Sequence, residues 1–163
     1  NVSVTFSFDS EVCSHDFTIN VQAATSTLTG IYFEDGICKC PNASVGDTAT
    51  ISGTVYTVVD DSTIGSMSNN TGILGAGNYN LCTTLVTSMQ NLFSGKANFN
   101  SDIGFWDTSN VTNMDRLFEN ASSFNQDLTG WCVSNITSEP INFSFNSSLT
   151  NTNKPIWGTC PSN

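Results

Sequence analysis

The chain has 163 residues, enough for one sizeable domain or for a small module joined to a short repeat array, and too few for a multidomain assembly. Only 11% of the residues are charged, so neutral hydroxyl and amide side chains must cover most of the surface. The formal net charge of −10 disfavours binding to nucleic acid phosphates and to anionic lipid headgroups. With no apolar run near the ~18 residues of a membrane helix, we expect neither nucleic acid binding nor membrane insertion.

Cysteine usage indicates an oxidising compartment. The chain has six cysteines and one histidine, with no paired Cys-x-x-Cys spacing typical of a zinc site. An even number of cysteines in such a chain favours three disulfides over free buried thiols. The chain opens at Asn1 without an initiator Met or an apolar leader, as a mature secreted protein does, although a trimmed chain would look the same. We therefore expect an extracellular or cell-surface protein, with disulfides formed by Cys13, Cys38, Cys40, Cys82, Cys132 and Cys160.

Asn-x-Ser/Thr sequons are frequent, but many arise by chance in a chain this rich in Asn, Ser and Thr. They bear on glycosylation only if the source is eukaryotic. The possible acceptors are Asn1, Asn42, Asn69, Asn110, Asn120, Asn135, Asn142 and Asn146.

The chain up to about residue 60 has the two-residue apolar alternation of β-strands. Residues 17–21 alternate in this way, and 48–59 predict two strands around a Ser52-Gly53 turn. Asp35-Gly36 supplies the tight turn of another hairpin. We predict a β-rich module over 1–60 and a Gly/Asn/Ser-rich connector over 61–80. The first strand of the module carries the apolar residues Val2, Val4, Phe6 and Phe8.

An internal repeat follows the connector. Residues 86–110 and 111–135 align without a gap and share 11 identities in 25 positions, and a weaker copy follows them. In each unit a Met and a Leu-Phe pair fall at i, i+3 and i+4, which predicts one short helix with a single apolar face, preceded by a short Val-Thr strand. The predicted repeat core is Met89, Leu92, Phe93, Phe99, Trp106, Met114, Leu117, Phe118, Phe124 and Trp131.

The stretch FNSDIGFWDTSNVTNMDRLF (99–118) resembles the repeats of the BspA-like surface proteins, which are leucine-rich-type repeats related to the mycoplasma lipoprotein repeat. The resemblance covers about residues 81–160, and 40–64 looks like the lead-in found before such repeats in bacterial members. It implies a secreted or cell-surface protein that adheres to host proteins, other cells or surfaces, without enzymatic activity or a cofactor. The chain departs from the family in its short array and in Cys132, which stands where the repeats usually carry Asp.

The fold predicted from these features is α+β. A unit with so few apolar residues cannot close a core alone, and stacking units would place Phe on Phe and Trp on Trp. The resemblance makes the stack a leucine-rich-repeat-like α/β solenoid. We therefore expect an N-terminal antiparallel β module followed, over 81–163, by such a solenoid with two good repeats and a degenerate, disulfide-capped third.

Few residues are candidates for chemistry. Asp102 and Asp127 recur one repeat apart and could hold Ca²⁺, but hydrogen bonds from each carboxylate to its own turn are the favoured interpretation. His15 lies in no nucleophile motif, and no spacing among the carboxylates selects a glycosidase pair. The periodic aromatic residues could line a sugar-binding face, although their periodicity favours a core. We predict no catalytic residue, no metal and no cofactor.

Six cysteines allow 15 pairings. We favour the three pairs that join neighbouring segments of the chain. One of them closes the last repeat, and another links the β module to the start of the repeats. These pairs are Cys132–Cys160, Cys40–Cys82 and Cys13–Cys38.

The expected function follows from the short array. Two good repeats need caps or a neighbour, and the strand at residues 1–10 precedes every cysteine, so it could pair in cis or add to an adjacent subunit. Head-to-tail contact of that kind does not close and produces fibres. We expect a structural or adhesive surface protein that self-assembles into a filament. The alternative is a monomeric adhesin module that binds a glycan or a host protein.

Overall fold

A computed structural model describes residues 30–67, 77 and 79–161. Within these residues the regular elements are short and lie mostly before the repeats. In chain order they are β1 (Tyr32–Glu34), β2 (Ile37–Lys39), β3 (Thr48–Ile51), β4 (Thr54–Asp60), α1 (Asp61–Met67), β5 (Leu81–Leu85) and a 3₁₀ helix (Asn151–Asn153).

Both hairpins predicted within the described residues are confirmed. β1 pairs antiparallel with β2 across the Asp35-Gly36 turn, and β3 pairs antiparallel with β4 across Ser52-Gly53. β4 also pairs in parallel with β5, so strands on either side of the predicted connector share one sheet. The predicted strands at Val2–Phe8 and 17–21 lie outside the described residues.

The predicted α/β solenoid is wrong. The described residues form two small sheets and long runs of turns, with almost no helix. The predicted helices, at 86–93 and 111–118, are turns, and each predicted Val-Thr strand is reduced to one isolated bridge between Ser88 and Asn113. The single α-helix of the described residues is α1, which lies before the repeats.

The backbone hydrogen bonds explain why turns replace helices. In an α-helix every N–H donates to the carbonyl four residues earlier. Here Leu92 and Ser94 donate to carbonyls three residues earlier, whereas Asn91 and Phe93 donate to the following repeat at 3.0 Å. Asn91 also has a φ of 60°, which ends a helix. A helical segment of about eight residues is unstable alone, so bonds between repeats decide the conformation.

Successive repeats are nevertheless in direct contact, and we name them the first repeat (86–110), the second repeat (111–135) and the terminal repeat (136–161). Phe93 stacks on Phe99 at 3.8 Å between ring centroids within the first repeat, and Phe118 stacks on Phe124 at 3.9 Å within the second. The two pairs are parallel to each other, with Phe99 and Phe124 5.2 Å apart. All ten residues predicted as repeat core are buried.

Side chains reinforce the contact between repeats. The indole N–H of Trp131 donates to the carbonyl of Ile103 at 3.1 Å, and the amide of Asn135 donates to the carbonyl of Ser109 at 2.8 Å. One repeat earlier, Asn110 donates in the same way to Thr84. The identical Trp and Ser-Asn positions of the sequence repeat are therefore the positions that bind one repeat to the preceding one.

Candidate functional site

The cysteines divide into two groups. Cys132 and Cys160 form a disulfide, which confirms the pairing predicted for the end of the array. Cys38, Cys40 and Cys82 are fully buried free thiols in one cluster, so the predicted Cys40–Cys82 disulfide is absent although the two residues are in contact. The predicted partner of Cys38 is Cys13, which lies outside the described residues.

Two of the buried thiols, Cys40 and Cys82, are held in the protonated form. A hydrogen bond with Cys38 raises the pKa of the Cys82 thiol to about 12, although a hydrogen bond with Cys40 opposes the rise. A hydrogen bond with Cys82 and burial raise the pKa of Cys40 far above its ordinary value. Because the thiolate is the form that attacks electrophiles and binds metals, this cluster packs as small apolar side chains. Among the described residues no group of three or more His, Cys, Asp or Glu is placed to hold a metal ion.

Asp107 is a buried charge at the junction of the β hairpin and the first repeat. Its carboxylate is 2% exposed, lies 3.1 Å from Nζ of Lys39 and accepts a hydrogen bond of 2.8 Å from Thr84 Oγ1. Burial opposes its ionisation, but hydrogen bonds from Ser109, Thr84 and Lys39 outweigh burial and hold the pKa of Asp107 below its ordinary value. This carboxylate therefore fixes the hairpin to the repeats, with each oxygen engaged.

The carboxylates of Asp102 and Asp127 bond to their own turns. Asp102 accepts the N–H of Gly104 at 2.9 Å, and Asp127 accepts the N–H and the hydroxyl of Thr129 at 2.9 and 2.7 Å. These are the turn hydrogen bonds favoured from the sequence.

Several predicted glycan acceptors are engaged in contacts between repeats. The side-chain amide of Asn110 donates to Thr84 in β5, and that of Asn135 donates to Ser109 in the first repeat. Asn142 donates to Glu119, and Asn146 donates to Asn120. The same nitrogen atoms would carry an N-linked glycan. Asn42 is exposed, and Asn1 and Asn69 lie outside the described residues.

A cleft of about 430 Å³ opens between the second repeat and the terminal repeat. Between the first and second repeats, the N–H of Thr112 donates to Thr87 and the N–H of Met89 donates to Asn113. Neither bond recurs one repeat later among the described residues. The groups that would form the equivalent bonds, the N–H of Met114 and the carbonyl of Thr112, lie beside the cleft. The lining is mainly polar: Thr112, Asn113, Met114, Asp115, Asn135, Ile136, Thr137, Ser138, Glu139, Pro140 and Ile141.

The terminal repeat presents apolar side chains to solvent. Ile141 is 67% exposed, Phe145 is 56% exposed and Ile156 is 73% exposed, which makes them the most exposed large apolar residues described. Sequence reasoning missed these three residues. The signal that was missed is a change of register. The turn that Leu117 N–H closes onto Met114 recurs 26 residues later, from Phe143 N–H to Pro140, whereas the repeat period is 25 residues. The predicted assembly strand at residues 1–10 lies outside the described residues.

Together these features define a class of protein, an array of repeats built from turns and closed by a disulfide. Backbone, Asn, Trp and Phe contacts join successive repeats, and a β hairpin is attached to the first. Residues 63–159 match the family described as Mycoplasma protein of unknown function, DUF285. The match covers more than half of the chain, so the chain belongs to this family. No curated protein and no solved structure matches it. Among the described residues no helix is long and apolar enough to cross a membrane.

Proposed function

We propose that this chain is a non-enzymatic structural or adhesive protein of the cell surface, with a role like that of the BspA-like surface proteins, whose copies assemble head to tail into a filament. The observation that carries the proposal is the contact between repeats. Three backbone hydrogen bonds from Asn91, Phe93 and Gly95 to the second repeat recur one repeat later, and the ring of Phe118 contacts a Phe ring of both neighbouring repeats. A contact that repeats by translation does not close on itself, so another copy of the chain can continue it.

Three further observations support a structural role at the cell surface. The Cys132–Cys160 disulfide is typical of secreted and surface proteins, because the cytosol keeps such pairs reduced. The thiols of Cys40 and Cys82 have raised pKa values and the Asp107 carboxylate is fully engaged, which favours a structural role over nucleophilic or acid–base chemistry. Membership of the mycoplasma family agrees with a surface location.

The experiment is the mass distribution of the purified chain against concentration, by sedimentation velocity and electron microscopy. Assembly predicts species that grow with concentration, whereas a single species of 17.4 kDa at every concentration would reject it. Deletion of residues 1–10 tests strand donation separately. If the shortened chain assembles unchanged, the strand at residues 1–10 is not the connecting element.

A second candidate function is a monomeric adhesin module that binds a glycan or a host protein. The cleft between the second and terminal repeats favours it, because hydroxyl, amide and carboxylate groups line it beside exposed Ile141. Sugars present hydroxyl groups and apolar faces that fit such a lining. Glycan-array binding by the monomer, lost in Asn113→Ala and retained in Asn151→Ala outside the cleft, would support this function over assembly.

A further inference from the structure

The segment Val86-Thr87-Ser88 at the start of the first repeat binds a carboxylate. The N–H groups of Thr87 and Ser88 donate to Oδ1 of Asp61 at 2.6 and 3.0 Å, and the Thr87 hydroxyl donates to Oδ2 at 2.5 Å. Burial opposes the ionisation of Asp61, but these hydrogen bonds outweigh burial and hold the pKa of Asp61 below its ordinary value. The segment therefore stabilises a carboxylate even in a chain with a net charge of −10.

The terminal repeat carries the same motif, as Ile136-Thr137-Ser138. The turn that leads into the motif is also the same. Val86 N–H donates to the carbonyl of Thr83 at 2.9 Å, and Ile136 N–H donates to the carbonyl of Val133 at 3.0 Å, in each case three residues earlier. The side chains of Val86 and Ile136 are both buried. The donors that follow are thus presented from equivalent points of their repeats.

The donors of the terminal motif have no acceptor within the described residues. The N–H groups and hydroxyls of Thr137 and Ser138 donate no hydrogen bond there, and both residues are exposed. In the second repeat, Thr112 donates its N–H and its hydroxyl to the carbonyl of Thr87 at 2.8 and 3.2 Å. The equivalent bonds from Thr137 to Thr112 are absent where the cleft opens. The terminal motif therefore lines the cleft with a carboxylate-binding group that is not filled by the described residues.

Other groups of the cleft favour a polypeptide as the source of the carboxylate. Met114 is fully buried, and its N–H has no acceptor within the described residues, which is unfavourable unless a ligand supplies one. At the preceding contact, the equivalent N–H of Met89 donates to the backbone carbonyl of Asn113. The Thr112 carbonyl likewise lacks the backbone N–H that its equivalent, the Thr87 carbonyl, accepts. A peptide supplies a carbonyl, an N–H and a side-chain carboxylate together.

The charges and apolar surface of the cleft permit an acidic peptide. The two carboxylates that line the cleft are engaged, since Asp115 accepts the N–H of Ile141 at 3.0 Å and Glu139 pairs with Lys154 at 2.7 Å. Ile141 is 67% exposed and offers an apolar contact to a neighbouring side chain of the peptide. The cleft volume of about 430 Å³ lies within the usual range for ligand sites.

We propose that the cleft binds an extended acidic peptide segment, whose Asp or Glu carboxylate is held by Thr137 and Ser138 as Asp61 is held by Thr87 and Ser88. The proposal rests on the second candidate function, the adhesin module, and narrows its ligand to a polypeptide. It does not depend on assembly of the chain into a filament.

Amide chemical shifts of the full chain test the site directly. The probe is a synthetic peptide with the sequence of residues 59–64, which contains Asp61, and the control is the same peptide with Asp60→Asn and Asp61→Asn. We expect the acidic peptide to shift the amide protons of Thr137 and Ser138 downfield in a saturable manner. The amide protons of Thr87 should stay in place, because Asp61 already occupies them. Equal shifts with both peptides, or no shift with either, would overturn the proposal.

A substitution tests the hydroxyl of the motif. Thr137→Val removes this donor and keeps the shape of the side chain, so it should weaken binding of the acidic peptide about tenfold, the effect of one hydrogen bond to a charged group. Thr152→Val makes the same change at an exposed site outside the cleft and should leave binding unchanged. Equal binding by the Thr137→Val variant and the wild type would overturn the assignment of the carboxylate to this motif.

Small anions and the glycan array separate the remaining outcomes. Acetate should compete with the acidic peptide, and stronger competition by inorganic phosphate than by acetate would overturn the carboxylate as the ligand. If glycan binding is lost in Asn113→Ala while the acidic peptide does not bind, the cleft is a glycan site and this proposal fails alone. If neither glycan nor peptide binds, the second candidate function fails with it.

Discussion

Nζ of Lys39 lies 3.1 Å from Oδ1 of the buried Asp107, and this pair joins the β1–β2 hairpin to the first repeat. One repeat later the same position is Cys132, which is bonded to Cys160 in the terminal repeat. The position therefore connects its repeat to a neighbouring segment in both cases. It does so with an ion pair toward the N-terminal side and with a covalent bond toward the C-terminal side.

Asp107→Asn should lower the free energy of unfolding by about 2 kcal/mol, because it weakens charged hydrogen bonds in a buried site. Urea denaturation at pH 7 measures this change. The matched control is Glu139→Gln, which breaks the more exposed pair with Lys154 and should cost about 1 kcal/mol or less. Equal effects of the two substitutions would contradict a special role for the buried pair.

Stability should be highest above about pH 4 and should fall toward pH 2. A hydrogen bond with Thr63 lowers the pKa of Asp60 from 3.8 to about 2, and hydrogen bonds lower that of Asp107 despite its burial. The unfolded chain therefore binds protons to these carboxylates more readily than the folded chain, which favours unfolding as the pH falls. Denaturation midpoints at pH 7, 5, 4 and 3 measure the slope. Asp107→Asn should flatten it, and an unchanged midpoint at pH 3 would contradict the prediction.

Cys132→Ser combined with Cys160→Ser should reduce the free energy of unfolding by about 3 kcal/mol, since the disulfide restricts the unfolded chain. The bond joins residues 28 apart and closes the terminal repeat. Thermal unfolding with and without a reductant measures the effect. Reductant should destabilise the wild type and leave the double variant unchanged, and the reverse result would show that another cysteine pair carries the stabilisation.

Gly104→Ala should destabilise the chain by about 1–3 kcal/mol, because an added methyl group forces the backbone of adjoining repeats apart. A Cβ at Gly104 would lie 2.8 Å from the carbonyl oxygen of Asp127. Gly130 is the matched control, since a Cβ there meets nothing within 4 Å. Denaturation of both variants tests the close approach, and Gly130→Ala should be nearly neutral.

Phe118→Ala should cost about 3–5 kcal/mol, the usual range for a fully buried aromatic residue. Phe118 stacks on Phe124 at 3.9 Å and also contacts Phe93 and Phe143, so it joins three repeats. Phe145→Ala removes the same ring from an exposed site and should leave the unfolding midpoint of the monomer nearly unchanged. Similar losses for both would mean that ring stacking does not carry the contact between repeats.

Sequence patterns predicted the parts of the structure that depend on local chemistry. The turns at Asp35-Gly36 and Ser52-Gly53 set the two hairpins, because these residues adopt the positive φ values that tight turns need. The ten apolar positions of the repeat were identified as core from their recurrence alone. The Cys132–Cys160 bond was predicted from the place where the repeat pattern ends.

The predicted helices failed because i, i+3, i+4 spacing also fits consecutive turns. Met114, Leu117 and Phe118 face one core in either conformation. Only the hydrogen bonds to the next repeat distinguish the two, and they depend on a neighbour that no local window contains. The same limit concealed the contact among Cys38, Cys40 and Cys82, which parallel pairing of β4 and β5 helps to create.

The sequence by itself determined the period, the core residues, the hairpin turns and the terminal disulfide, since each is written in residue types at short or regular spacing. Tertiary structure alone decided that the repeats are built of turns, that Asp107 is a buried ion-pair partner, and that the terminal repeat presents apolar residues and N–H groups that have no partner among the described residues. The physical reason is that backbone donors carry no side-chain signature. Which repeat satisfies them depends on how the chain stacks, and at the last repeat the stack ends.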